Sequence, residues 1–97
     1  MNSEILGLWE LDPADLNANQ IYGNVSLEFK NNGELIYTLF LEDKAQKSLL
    51  TYETRGNKIF TDQPSSPNPQ ETEFRILPDG KLELGFGGVK SNYVKKT

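Results

Sequence analysis

The sequence predicts an all-β fold, a small antiparallel up-and-down meander barrel of eight strands in one domain spanning residues 1–97. Three observations carry that prediction. Gly33, Gly56 and Gly80 lie 23 and 24 residues apart, each between two apolar-rich runs, which is the rhythm of consecutive hairpins. The flanks of two of these turns alternate in polarity in the same sense when paired. Leu, Ile, Phe and Tyr dominate the apolar content while Ala is scarce, which favours sheet over a helical bundle. An apolar fraction of 36% in 97 residues supplies one core, not two.

Strand one is expected at Leu6 to Leu11. It leads into Asp12-Pro13-Ala14-Asp15-Leu16, which reads as one short helical turn: Asp12 as N-cap, Pro13 in the first helical position, Asp15 near the positive end of the turn. Strands two and three, Tyr22 to Lys30 and Glu34 to Glu42, are joined by Asn31-Asn32-Gly33. A three-residue loop with Gly at the φ > 0 position sets Lys30 opposite Glu34. Phe29, Leu27 and Val25 then meet Leu35, Tyr37 and Leu39 on the core face, and Glu28, Ser26 and Asn24 meet Ile36, Thr38 and Phe40 on the other.

Strands four and five, Ser48 to Thr54 and Lys58 to Asp62, flank Gly56. A four-residue loop there pairs Glu53 with Lys58, whereas a two-residue loop sets Arg55 beside Lys58, and the register stays open. Strands six and seven, Glu71 to Leu77 and Lys81 to Phe86, are joined by Pro78-Asp79-Gly80, which places Arg75 opposite Glu83 on the wet face and Ile76 and Phe74 opposite Leu82 and Leu84 on the dry one. Val89 to Val94 is the last strand, after Gly87-Gly88. Turns alternate between the two ends of a meander, so the three Gly turns share one end. The other end takes the long connections, Asp12 to Ile21, Asp43 to Lys47 and Gln63 to Gln70, the last with three prolines.

Composition excludes more than it assigns. With no Cys and no His, the chain lacks thiol nucleophiles, disulfides, the commonest general base, and the usual zinc, copper and haem ligands. No motif for an organic cofactor is present, so no cofactor is expected, and no catalytic residue is nominated. A net charge of −4 argues against nucleic-acid binding. No run approaches the ~20 apolar residues of a membrane span, and Met1 to Leu11 has no leader pattern, so a cytoplasmic location without a membrane partner is expected.

A first strand carrying Gly7-Leu8-Trp9, followed by a long loop with a helical turn and a run of hairpins, resembles the lipocalin-like, or calycin, β-barrels. The resemblance spans nearly the whole chain as a strand plan, and Gly7-Leu8-Trp9 is its specific motif. It implies that Gly7 permits close packing at the barrel floor and that Trp9 closes that floor under a basic side chain of the last strand, Lys90 or Lys95. By the turn argument, Trp9 then lies at the end bearing Gly33, Gly56 and Gly80. The family's usual C-terminal Arg is absent here, and its Thr-Asp-Tyr motif is represented by Thr61-Asp62 followed by Gln63.

Eight strands enclose an interior that is either filled by side chains or wide enough for one small ligand. The bulky inward residues Trp9, Phe29, Tyr37, Phe74 and Phe86 favour filling. A pocket at the long-loop end, taking a small apolar or amphipathic ligand, would use Tyr37, Tyr52, Leu39 and Phe86. Arg75 with Tyr52 and Tyr93 resembles an internal carboxylate site, but alternation sends Arg75 outward to Glu83. Asp12, Asp15, Glu42, Asp43 and Asp62 gather at the long-loop end without a calcium-loop pattern, so no metal site is expected. Ile36 and Phe40 face outward and suggest instead a surface for a protein partner or a second copy of the chain.

Overall fold

The Asn31-Asn32-Gly33 turn is tight because its own side chains close it. Asn32 Oδ1 accepts the Glu34 amide at 3.1 Å, Lys30 N–H reaches the Glu34 carbonyl at 2.9 Å, and Gly33 takes φ +87°. That geometry fixes Phe29 opposite Leu35, Leu27 opposite Tyr37 and Val25 opposite Leu39, the register expected from the sequence. The computed structural model describes residues 3–16, 20, 24–64, 69–86 and 89–96; the side chains of Ser3 and Phe86 lie outside the description.

A 3-10 turn at Ser3–Ile5 precedes eight strands: β1 Gly7–Leu11, β2 Asn24–Phe29, β3 Glu34–Phe40, β4 Ala45–Arg55, β5 Lys58–Asp62, β6 Gln70–Ile76, β7 Leu82–Phe86 and β8 Val89–Lys95. Each pairs antiparallel with the next, and β1 pairs with β8, closing an all-β up-and-down barrel. Closure removes every sheet edge. The expected hairpin at Gly80 is present: Leu77 N–H bonds the Lys81 carbonyl at 2.8 Å, and Arg75 stands opposite Glu83 with a 3.4 Å ion pair.

At Gly56 the loop has two residues, and Arg55 is paired with Lys58. The like charges are separated by their other partners. Arg55 turns to Glu53 at 3.3 Å and covers the Phe60 ring at 5.7 Å, while Lys58 bonds Glu71 at 2.9 Å.

One expectation at the other end is corrected. The connection from Asp43 to Lys47 is not long: β4 begins at Ala45, Phe40 pairs with Ala45, and Leu41 N–H bonds the Lys44 carbonyl at 2.8 Å. The polar start of β4 hid the strand, because both of its faces are exposed there. The Asp12 turn is present, with Asp12 Oδ1 accepting the Ala14 amide at 2.9 Å, and the Asp15 carboxylate reaches the last strand. It accepts the Asn92 amide at 3.0 Å. Asp12 N–H meets the Asn92 carbonyl at 2.8 Å, so the turn continues the β1–β8 ladder after β1 ends, a carboxylate standing in for a strand carbonyl. Tyr22 and the Gly87-Gly88 turn lie outside the described residues.

The strands are strongly staggered. Tyr93 of β8 pairs with Leu82, the first residue of β7, on one side and with Leu11, the last of β1, on the other. One hydrogen-bonding row therefore joins residues that the strand order assigns to opposite rims, as tilt and shear in a closed barrel require.

Gly7 sits in β1 at φ +121°, a backbone conformation that L side chains rarely adopt. Its partner across the ladder is Phe29, at the barrel floor. Gly7→Ala is expected to cost about 1–3 kcal/mol, read as a lower midpoint in urea denaturation with an unchanged slope.

Candidate functional site

The core is thickest near the floor. Ile5 and Trp9 are 0% and 1% exposed, and the indole N–H donates to the Ile5 carbonyl at 2.8 Å, so the 3-10 turn and the ring lock each other in place. Lys95 Nζ lies 5.5 Å from the centre of the Trp9 ring, and Lys95 pairs with Trp9 across β8 and β1. Phe29 and Tyr52 meet edge to face with centroids 5.0 Å apart. The Tyr52 hydroxyl donates to the Lys30 carbonyl at 2.7 Å, and burial raises its pKa above the ordinary tyrosine value.

Above this aromatic layer the barrel is not filled. It holds a cavity of about 310 Å³, open to solvent at its mouth and lined from every strand except β1. Its apolar wall is Leu27, Phe29, Leu35, Leu50, Ile59 and Leu84. Its polar lining is Tyr37, Thr61, Gln70, Thr72, Ser91 and Tyr93, with Ser91 Oγ 3.5 Å from the Tyr93 hydroxyl. Thr61 and Gln70 stand where β5 and β6 meet the connection between them, at the rim opposite the Gly turns. Bulky side chains therefore do not fill the interior evenly: Trp9, with Ile5, and the Phe29–Tyr52 pair are tied to one another and to backbone, which leaves room along β5, β6 and β8.

Of the expected ligand residues, Tyr37 lines the cavity. Tyr52 points inward but is tied to the Lys30 carbonyl beside the Gly33 turn, and Leu39 packs against the core; neither belongs to the lining. The Phe86 side chain lies outside the described residues. Sequence reasoning missed Thr61, Gln70, Thr72 and Ser91 as lining groups. Their signal was parity: each is two or four residues from a buried inward residue, Ile59, Phe74 or Tyr93, on its own strand.

A second hollow, of about 460 Å³, lies over Glu53, Phe60, Asp62 and Glu71 and shares Thr61 and Gln70 with the cavity at its rim. Glu53 and Glu71 are occupied by Arg55 and Lys58, and Arg55 covers the Phe60 ring, so this is a solvated groove. On the outer wall Ile36 is half-buried and stands opposite Leu49, which is 51% exposed, while Phe40 is 47% exposed. Among the described residues, no group of three or more Asp or Glu side chains is placed to hold a metal ion.

Asp12 is buried and accepts Lys81 Nζ at 2.7 Å. The stagger makes this bond, because it brings the residue after β1 within reach of the Gly80 turn. The Lys81 ammonium, then the Ala14 amide, hold the Asp12 carboxyl below its ordinary pKa, and Asp12 in turn raises that of Lys81. A depressed carboxylate pKa gives stability that is complete above the ordinary value and is lost as pH falls through the folded one. Wild type should therefore lose stability relative to Asp12→Asn as pH falls below the ordinary carboxylate value of about 4, with the two converging at the acid end. Chemical denaturation at stepped pH measures it; parallel curves would remove Asp12 from the account.

No protein-family model, curated protein or solved structure matches this chain. Among the described residues, no helix is long and apolar enough to cross a membrane.

Proposed function

We propose that this barrel is a non-enzymatic binding protein of the lipocalin-like kind, taking a small apolar or amphipathic ligand into its interior from the rim formed by β5 and β6. The cavity of about 310 Å³ carries the proposal. It falls at the lower end of the roughly 300–1,000 Å³ typical of ligand pockets and has their make-up, a mostly apolar wall with a few polar groups. The Gly7-Leu8-Trp9 floor under Lys95 supports the same reading, since it puts the rigid closure at one end and leaves the other for exchange. Titration with the neutral fluorophore Nile red, alongside native mass spectrometry of freshly purified protein, tests it. Saturable binding with a blue-shifted emission is expected; absence of both probe binding and co-purified ligand would end the proposal.

A second reading rests on the outer wall, where Leu49 and Phe40 are about half exposed beside Ile36. It makes the chain an interaction module for a protein partner or a second copy. Sedimentation velocity of wild type against the Ile36→Lys, Phe40→Lys double variant discriminates: this reading expects a concentration-dependent dimer that the variant abolishes. A monomer in both samples leaves the interior as the functional surface.

A further inference from the structure

We infer that the interior selects an uncharged ligand bearing a hydroxyl or carbonyl group on a frame of one or two rings, and rejects both carboxylates and amines. The inference rests on the cavity's being the binding site and adds the ligand's chemistry. Among the described residues, none that lines the cavity carries a formal charge at neutral pH; its polar groups are the hydroxyls of Tyr37, Thr61, Thr72, Ser91 and Tyr93 and the amide of Gln70. The cations near this lining in sequence lie outside it: Lys30, next to Phe29, and Lys90, next to Ser91, are exposed to solvent, and Arg75 and Lys58 have partners of their own. Arg75 on β6 faces Glu83, and Lys58 on β5 faces Glu71.

A buried carboxylate therefore finds no cation and a buried ammonium no anion, and desolvating an ion without a counter-ion is far costlier than desolvating a hydroxyl that regains its hydrogen bonds. Glu71, next to Gln70 in sequence, is paired with Lys58, and Asp62, next to Thr61, lines the outer groove and disfavours an anion near the rim. Hydroxyls and an amide both donate and accept, which suits an alcohol, a phenol or a ketone. The volume sets the frame: it is roughly twice the ~150 Å³ apolar cavity that takes up benzene.

Three probes sharing one bicyclic frame test the inference: 2-naphthalenemethanol, 2-naphthoate and 2-naphthylmethylammonium, each titrated at pH 7 into methyl-labelled full-length protein. The alcohol is expected to shift the methyl resonances of Leu27, Leu50 and Leu84 and to bind at least ~10-fold more tightly than either ion. That preference should persist in 0.5 M NaCl, because desolvation is not screened as surface repulsion is. A discrimination below ~10-fold, or one that salt removes, overturns the neutral-ligand inference and leaves the cavity as a binding site. If none of the three moves the lining methyls, both the inference and the binding proposal fall.

Discussion

Trp9→Ala should cost about 3–5 kcal/mol, the range for emptying a buried aromatic site. Against the roughly 5–15 kcal/mol typical of a domain, that is about a fifth of the total or more. The reasons are local and separable. The ring is 1% exposed, it holds the Ile5 carbonyl through its N–H, and Lys95 covers its face. For a chain of this size the loss corresponds to a fall in Tm of at least ~12 °C. Trp9→Phe keeps most of the packing but strands the Ile5 carbonyl, costing about 1–3 kcal/mol, and Lys95→Met removes about 0.5–1 kcal/mol of cation–π attraction. Thermal unfolding followed by far-UV circular dichroism should rank the three in that order. Equal effects from Ala and Phe would mean that the hydrogen bond, not the ring, closes the floor.

The second large effect concerns binding. Leu84 is buried, and its side chain forms part of the cavity wall from β7. Leu84→Trp projects an indole into the space a ligand would occupy, and should weaken Nile red binding by at least ~10-fold while costing stability no more than the ~1–3 kcal/mol of an overpacked site. The outward substitution Leu49→Trp is the control, since Leu49 lies on the exposed wall and should leave binding unchanged. A larger loss from Leu49→Trp than from Leu84→Trp would move the site to the outer face.

The residues show why fold was more legible than site. Hairpins at Gly33 and Gly80 were readable because turn chemistry and alternation are local and agree with each other, so Phe29 opposite Leu35 and Phe74 opposite Leu84 followed from sequence spacing alone. β4 was read three residues short because its polar start, Ala45-Gln46-Lys47, is exposed on both faces and shows no alternation. The Ser3–Ile5 turn was missed because three residues carry no period. The Asp12–Lys81 bond was beyond reach because 69 residues separate its partners and only the shear of the closed barrel makes them neighbours. The cavity was illegible for a related reason. Sequence gives the direction of each side chain but not the height at which it enters the barrel, so Trp9 and Phe29 looked able to fill a space that they close at one end.

The most direct test of the central claim is where a neutral ligand lies when bound. Intermolecular NOEs from 2-naphthalenemethanol to a methyl-labelled sample report it without substitution. The account predicts NOEs to the methyls of Leu27, Leu50 and Leu84 inside the barrel and none to those of Leu41 or Leu49 on its exposed surface. NOEs confined to Leu41 and Leu49 would contradict it and identify the outer wall as the binding surface.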